Sequence, residues 1–217
     1  GKLVQVVALG LAISLQLFAV ETVFGDVGLQ ERPVNLSCLA PEKPATSLFT
    51  TERVYPKLWF NQAAQLKQPP NDPSRWLVVE RGGVIRSFLA SGDDVVETSV
   101  FLDIFDRVTF KERAGLLSVA FHPDYPQDGR IFAVYTTDSD DPDRAVRNVV
   151  ASYTSSDGGM TFDPSTEEIV LTNDTDFYLH PWGMAEFGPD GYLYVGTGAL
   201  KSPTAQDTYS LEGAFLR

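Results

Sequence analysis

From about Tyr55 onward, apolar residues gather in short runs punctuated by glycine, proline and aspartate. Trp76-Leu77-Val78-Val79 and Val84-Ile85-Arg86-Ser87-Phe88 are two such runs, and Arg81-Gly82-Gly83 between them has the composition of a hairpin turn. Ile131-Phe132-Ala133-Val134-Tyr135 and Tyr192-Leu193-Tyr194-Val195 read as two further strands. In the last, the two tyrosines alternate with aliphatic residues, as expected of a core strand. No segment in this region sustains an apolar period of about 3.6 residues, so an all-β chain with little helix is expected. Two stretches upstream differ. Leu3 to Val20 is uncharged and mainly apolar, and from Asp26 to about Tyr55 the chain is rich in Pro, Glu, Ser and Thr with no steady period.

The strands repeat together with their turns. Asp72-Pro73-Ser74-Arg75 precedes Trp76. Phe121-His122-Pro123-Asp124 and Asp128-Gly129-Arg130 precede Ile131, and Phe187-Gly188-Pro189-Asp190-Gly191 precedes Tyr192. The strands start 55 and then 61 residues apart. A proline-aspartate turn feeding a strand at that recurring distance predicts a β-propeller, with the turn between blades and the strand in the middle of each blade. A β-sandwich competes, but it requires no repeating turn-plus-strand unit. About three blades are expected here, whereas a closed ring takes about four to eight. With Gly1 at its start and Phe215-Leu216-Arg217 at its end, the chain reads as the N-terminal part of a longer propeller.

Lys2, the apolar run and the small residues near its end describe a secretory signal peptide over residues 1–25, with cleavage after Ala19 or Gly25. A single membrane anchor is the alternative, but the run is at the short end of what spans a bilayer. Residues 26–54 then form a linker, and 55–217 the propeller. This arrangement predicts a periplasmic or secreted protein with no stable membrane insertion after cleavage. Cys38 is the only cysteine, which excludes an internal disulfide framework and a cysteine-rich zinc site. The net charge of −12, from 29 acidic and 17 basic residues, argues against nucleic acid and anionic lipid as partners. Any imidazole chemistry falls on His122 or His180, the only two histidines.

Several segments, taken in order, resemble the soluble quinoprotein glucose/sorbosone dehydrogenase family. They are Asp72 to Arg86; Phe101-Leu102-Asp103-Ile104 with Arg107-Val108; and Ala114-Gly115-Leu116-Leu117-Ser118-Val119-Ala120-Phe121-His122-Pro123-Asp124-Tyr125. Tyr153-Thr154, Glu167 to Leu171, His180 to Gly198 and Leu211 to Arg217 follow with the expected gaps. The ordered set is specific, although single pieces such as Gly-Pro-Asp-Gly are not. The resemblance implies a six-bladed propeller that oxidises an aldose at its anomeric hydroxyl. Its cofactor would be pyrroloquinoline quinone, with calcium held by ligands in a C-terminal half, and its partners a small-molecule sugar and an electron acceptor.

By the same resemblance, His180 is the general base, and Arg113, Trp182 and Gly183 stand at the positions nearest the cofactor, where Arg113 either meets a quinone carboxylate or is a surface arginine following Lys111 and Glu112. An imidazole suits that role because its ordinary pKa near 6.5 leaves it mostly neutral yet basic at neutral pH. Four departures accompany it. Pro181-Trp182 replaces Asn-Gly, Leu179 replaces a polar residue, Ala199-Leu200-Lys201 replaces Asp-Gly-Gly, and Arg113 replaces an acidic or amide side chain. They motivate a rival reading, a ligand- or protein-binding propeller of the same descent without catalysis. His122, inside a Pro-Asp turn, is expected to be structural. The run Asp138-Ser139-Asp140-Asp141-Pro142-Asp143 lacks the spacing of a calcium loop and is expected to be a solvated connection, so no metal ligand is assigned.

Overall fold

The computed structural model describes residues 50–199 and 203–217. The expected signal peptide, the linker up to residue 49 and Cys38 lie outside those residues. The compact unit runs from Thr51 to Arg217. Among the described residues no helix is long and apolar enough to cross a membrane, and the only helical pieces are three short 3-10 turns.

Eleven strands form three antiparallel meanders. The first sheet is β1 (Ala63–Lys67), β2 (Arg75–Glu80), β3 (Val84–Leu89) and β4 (Ser99–Asp103), in that spatial order. The second is β5 (Leu116–Phe121), β6 (Arg130–Asp138), β7 (Val146–Thr154) and β8 (Glu168–Thr175). The third holds β9 (Ala185–Phe187), β10 (Leu193–Gly196) and β11 (Phe215–Leu216). The first strands of neighbouring sheets, β1 with β5 and β5 with β9, pack against one another. That is β-propeller geometry: each sheet is a blade whose first strand is innermost.

The strands read from sequence correspond to β2, β3, β6 and β10. Three of them, β2, β6 and β10, are the second strand of their blade, and each follows its Pro-Asp turn. The turns themselves need a correction. They join the first and second strands within a blade rather than linking one blade to the next. The reason is visible in the side chains. Asp72 accepts from the Ser74 N–H (3.1 Å) and pairs with Arg75 Nε (2.6 Å), while Asp128 takes both Arg130 Nε and Nη2 (2.8 and 2.7 Å). Each aspartate therefore fixes the first residue of the returning strand. Tyr192 also differs from expectation. It precedes β10, is 53% exposed, and lies under the Arg217 guanidinium at 4.4 Å. Leu193 and Val195 are the residues of this strand that pack into the core.

Blade 2 is buried on both faces. Ile131, Ala133, Tyr135, Val149, Ala151 and Tyr153 pack towards Leu77, Val79, Ile85 and Leu102 of blade 1. The alternate residues Ala120, Phe132, Val134 and Val150 pack towards Ala185 and Val195 of blade 3. A sheet clothed on both sides has no polar face, so β6 reads as an unbroken apolar run. Polar ties cross the same seams. Glu167 accepts from Tyr135 (2.9 Å) and Tyr153 and pairs with Arg107 (2.9 Å), and burial followed by that carboxylate pushes both phenols above their ordinary range. On the inner strands, Lys67 of β1 reaches past the Val119 carbonyl of β5 to pair with Glu186 of β9.

Several turn carboxylates are held below their ordinary range. Asp157 is held furthest down, by hydrogen bonds from Ser155 and Thr161, Asp72 chiefly by Ser74, and Asp128 chiefly by Arg130. A carboxyl whose folded pKa is depressed adds stability above its unfolded value, near 4, and loses it as pH falls through the folded value. The protein should therefore lose thermal stability between about pH 4 and its acid limit. Asp157→Asn combined with Asp128→Asn should lower Tm at pH 7 and flatten that acid loss. Thermal melts across pH 3–7 read both effects.

Candidate functional site

The innermost strands β5 and β9 run in the same direction, each entered through a long loop, residues 104–115 and 176–184. The two loops keep a common register. The Ala185 N–H donates to Ser118 Oγ at 3.1 Å, and Lys111 Nζ stands 4.3 Å from the centre of the Tyr178 ring. Both pairs have the same sequence separation, and so do Arg113 and His180. The structure therefore gives Arg113 and His180 equivalent places on adjacent loops at one rim of the propeller. Both side chains are exposed, and neither makes a hydrogen bond or ion pair to another described residue.

Each loop is anchored from below. The Arg81 guanidinium donates to the carbonyls of Glu112 (2.5 Å) and Ala114 (2.9 Å) and lies over Phe110 at 5.1 Å. Gly115, at φ +147, follows directly; a Cβ there would stand 2.5 Å from the Arg81 carbonyl oxygen, which accounts for glycine at this point of the motif. On the second loop, the Trp182 N–H donates to Asn148 Oδ1 at 2.9 Å and the Gly183 N–H to Gly196 O at 2.9 Å. His180 itself adopts φ +54, a left-handed conformation rarely taken by residues other than glycine. It lines a cavity of about 180 Å³ with Arg144, Asn148, Leu179, Gly198 and Glu212. Arg144 is engaged by Asp176 at 2.7 Å.

The other expected residues fall elsewhere. Trp182 is corrected from a cofactor-facing residue to a core residue: it is 1% exposed, enclosed with Ala120, Phe132, Val134 and Val150. Its indole Nε1 is buried with no partner among the described residues, and at that burial no face or edge of the ring is offered outward. Gly183 continues the β9–β10 pairing through its backbone. His122 stands at the opposite rim, where β5 ends, with Nδ1 3.5 Å from Asp128 and its ring against Phe187. The acidic run is consumed locally: Asp138 accepts from Thr109 (2.8 Å), Asp140 pairs with Arg147 (2.6 Å) and Asp141 accepts from the Asp143 N–H (2.9 Å). Among the described residues no three His, Cys, Asp or Glu gather to hold a metal. A larger hollow of about 520 Å³ against Val78 and Phe88 is apolar and holds no histidine or carboxylate.

Sequence reasoning missed Asn148, Arg144, Glu212 and the Arg81 anchor. Only Asn148 left a trace, as a buried polar residue interrupting an apolar strand.

A family model for glucose/sorbosone dehydrogenases matches residues 60–217. The chain belongs to that family. Among solved structures, it is similar to the pyrroloquinoline quinone-bound form of an aldose sugar dehydrogenase from Streptomyces coelicolor, at 25% identity and a TM-score of 0.62 over 76% of this chain and 46% of that one. Among curated proteins, it is similar to the HIPL2 protein of Arabidopsis thaliana (31% identity; 57% of this chain, 23% of that protein). It is also similar to the Hedgehog-interacting protein of Homo sapiens (29% identity; 64% of this chain, 21% of that protein). The chain thus spans about a quarter of the length of the curated relatives it matches.

Since Trp182 is a core residue, Trp182→Ala should cost about 3–5 kcal/mol of stability, as large-to-small core changes do. Calorimetry on the variant should show a lowered Tm, whereas a surface tryptophan awaiting a ligand would leave Tm unchanged.

Proposed function

We propose that the longer protein containing this chain oxidises an aldose at the anomeric hydroxyl, with pyrroloquinoline quinone as cofactor and His180 as general base. The observation that carries this reading is the exposed His180 imidazole, without a partner among the described residues and held on a strained backbone in the place equivalent to that of Arg113. A planar tricarboxylate needs cations and open space beside the base. Arg113 fits the first requirement, being free of any described carboxylate and able to bind one bidentately. Trp182 fits the second, because its burial removes the one bulky ring that the motif would have set in the way. Arg144 is already neutralised by Asp176 and Lys111 is engaged with Tyr178. Gly183 offers no free N–H, so its part is to keep the loop in place.

When bound, the quinone supplies the two-electron acceptor that no side chain provides. The rest belongs to the chain. His180 takes the proton of the anomeric hydroxyl, and Arg113 holds a cofactor carboxylate. Arg144 and Glu212, on the wall of the same cavity, offer hydrogen bonds to a sugar. Calcium is proposed with the cofactor, its ligands sought in the remainder of the longer ring. Residues 1–25 would export the protein to the periplasm or the cell exterior.

A second reading, a binding propeller without catalysis, is favoured by the apolar surround of His180. Phe177 and Leu179 are both exposed there, and Ala199 stands where the family motif has a carboxylate.

The test uses the full-length protein: aldose-dependent dye reduction with and without added quinone and calcium, beside His180→Ala. Quinone-dependent activity, reduced about 10²–10⁴-fold in the variant, is expected of a general base. A folded protein that reduces no dye with any aldose would leave the binding reading.

A further inference from the structure

We propose that Asn148 and Gly198 form a cradle that sets the orientation of the His180 imidazole, which makes Asn148, on β7 of blade 2, a positioning residue for a base carried by blade 3. The inference rests on the reading of His180 as that base, but its geometry stands independently.

Asn148 is 1% exposed in a strand whose neighbours Val146, Val149 and Val150 are core residues. A primary amide in such a place is costly unless both of its ends are used. They are. Oδ1 accepts the Trp182 N–H at 2.9 Å, and Nδ2 donates to the Asn173 carbonyl on β8 at 3.3 Å. The first bond crosses from one blade to the next and lands two residues beyond His180. There the chain is fixed again, by the enclosed Trp182 indole and by the Gly183 N–H to Gly196 O bond.

His180 needs such support. Its φ of +54 opposes the preference of any β-substituted residue, and the following Pro181 biases it towards extended backbone with negative φ. A left-handed residue of this kind persists only where its surroundings over-determine it. Gly198 supplies the other half of that constraint. A Cβ on Gly198 would overlap the His180 carbonyl oxygen and stand 2.7 Å from its carbonyl carbon and 2.8 Å from Pro181 O. Only glycine therefore lets the His180 carbonyl seat where it does. Gly198 is in turn fixed by the Gly213 N–H, which donates to its carbonyl at 3.1 Å. Asn148, Gly198 and His180 all line the same cavity, so the cradle and the imidazole face a common space.

The experiment uses the full-length protein with histidines labelled for NMR, the His180 ring signal being assigned by its loss in His180→Ala. Asn148→Leu keeps the volume and removes the acceptor, Asn148→Asp keeps the acceptor, and Gly198→Ala pushes on the carbonyl directly. The His180 ring signal should move in Asn148→Leu and Gly198→Ala and stay near its wild-type position in Asn148→Asp. In the dye assay, kcat should fall at least about tenfold in Asn148→Leu with KM for the sugar little changed, and Asn148→Asp should restore most of it. A His180 signal unmoved in both folded Asn148→Leu and Gly198→Ala overturns the proposal. If Asn148→Leu does not fold, Gly198→Ala alone decides it. If the wild-type protein oxidises no aldose, the enzyme reading fails while the ring signal still decides the cradle.

Discussion

Everything at the rim that carries Arg113 and His180 depends on blade 2 being packed on both sides. A four-stranded sheet alone in water leaves both faces to solvent; here the apolar residues of β6 and β7 alternate between two cores. That double burial fixes the positions of β5 and β9 relative to each other, and with them the loops that lead into those strands. The Ser118–Ala185 hydrogen bond and the Lys111–Tyr178 contact extend the register outward from the core to the rim. Arg113 and His180 owe their correspondence to it, since the only regular structure in either loop is the single 3-10 turn at Phe105–Arg107.

The rim also shows where strain is kept and what holds it. Loops 104–115 and 176–184 each contain a residue other than glycine at positive φ, Glu112 and His180. Each is also paired with a glycine whose missing side chain admits a carbonyl: Gly115 against Arg81, and Gly198 against His180. The likeness stops there: the strained residue of the first loop is Glu112, one place before Arg113, whereas in the second it is His180 itself.

The fold was legible because turns and strands recur with the same chemistry. Asp72 with Arg75 and Asp128 with Arg130 were visible as turns, yet their position within the blade was not. A Pro-Asp turn has the same local sequence whether it joins strands of one sheet or of two. Tyr192 was misjudged for a related reason: alternation with Leu193 and Val195 said that two faces existed, without saying where the strand began. At the rim, His180 and Arg113 were singled out through the resemblance. Trp182 could not be assigned to the core, because which way a side chain leaves a loop depends on the blade it meets. Asn148 lay outside any motif, being brought to His180 by a cross-blade contact between residues far apart in the chain.

The Lys67–Glu186 pair on the inner strands has a geometric meaning of its own. It links the first blade to the third across the second, so it spans a chord of the circle on which the inner strands lie. The length of a chord fixes the arc it subtends, and the arc shared by three consecutive strands sets how many such strands complete a turn. An exposed ion pair is a weak spring, worth at most about 1 kcal/mol. It is nonetheless a gauge of curvature that nearest-neighbour packing lacks, because adjacent blades can slide or splay slightly while their own seam stays closed.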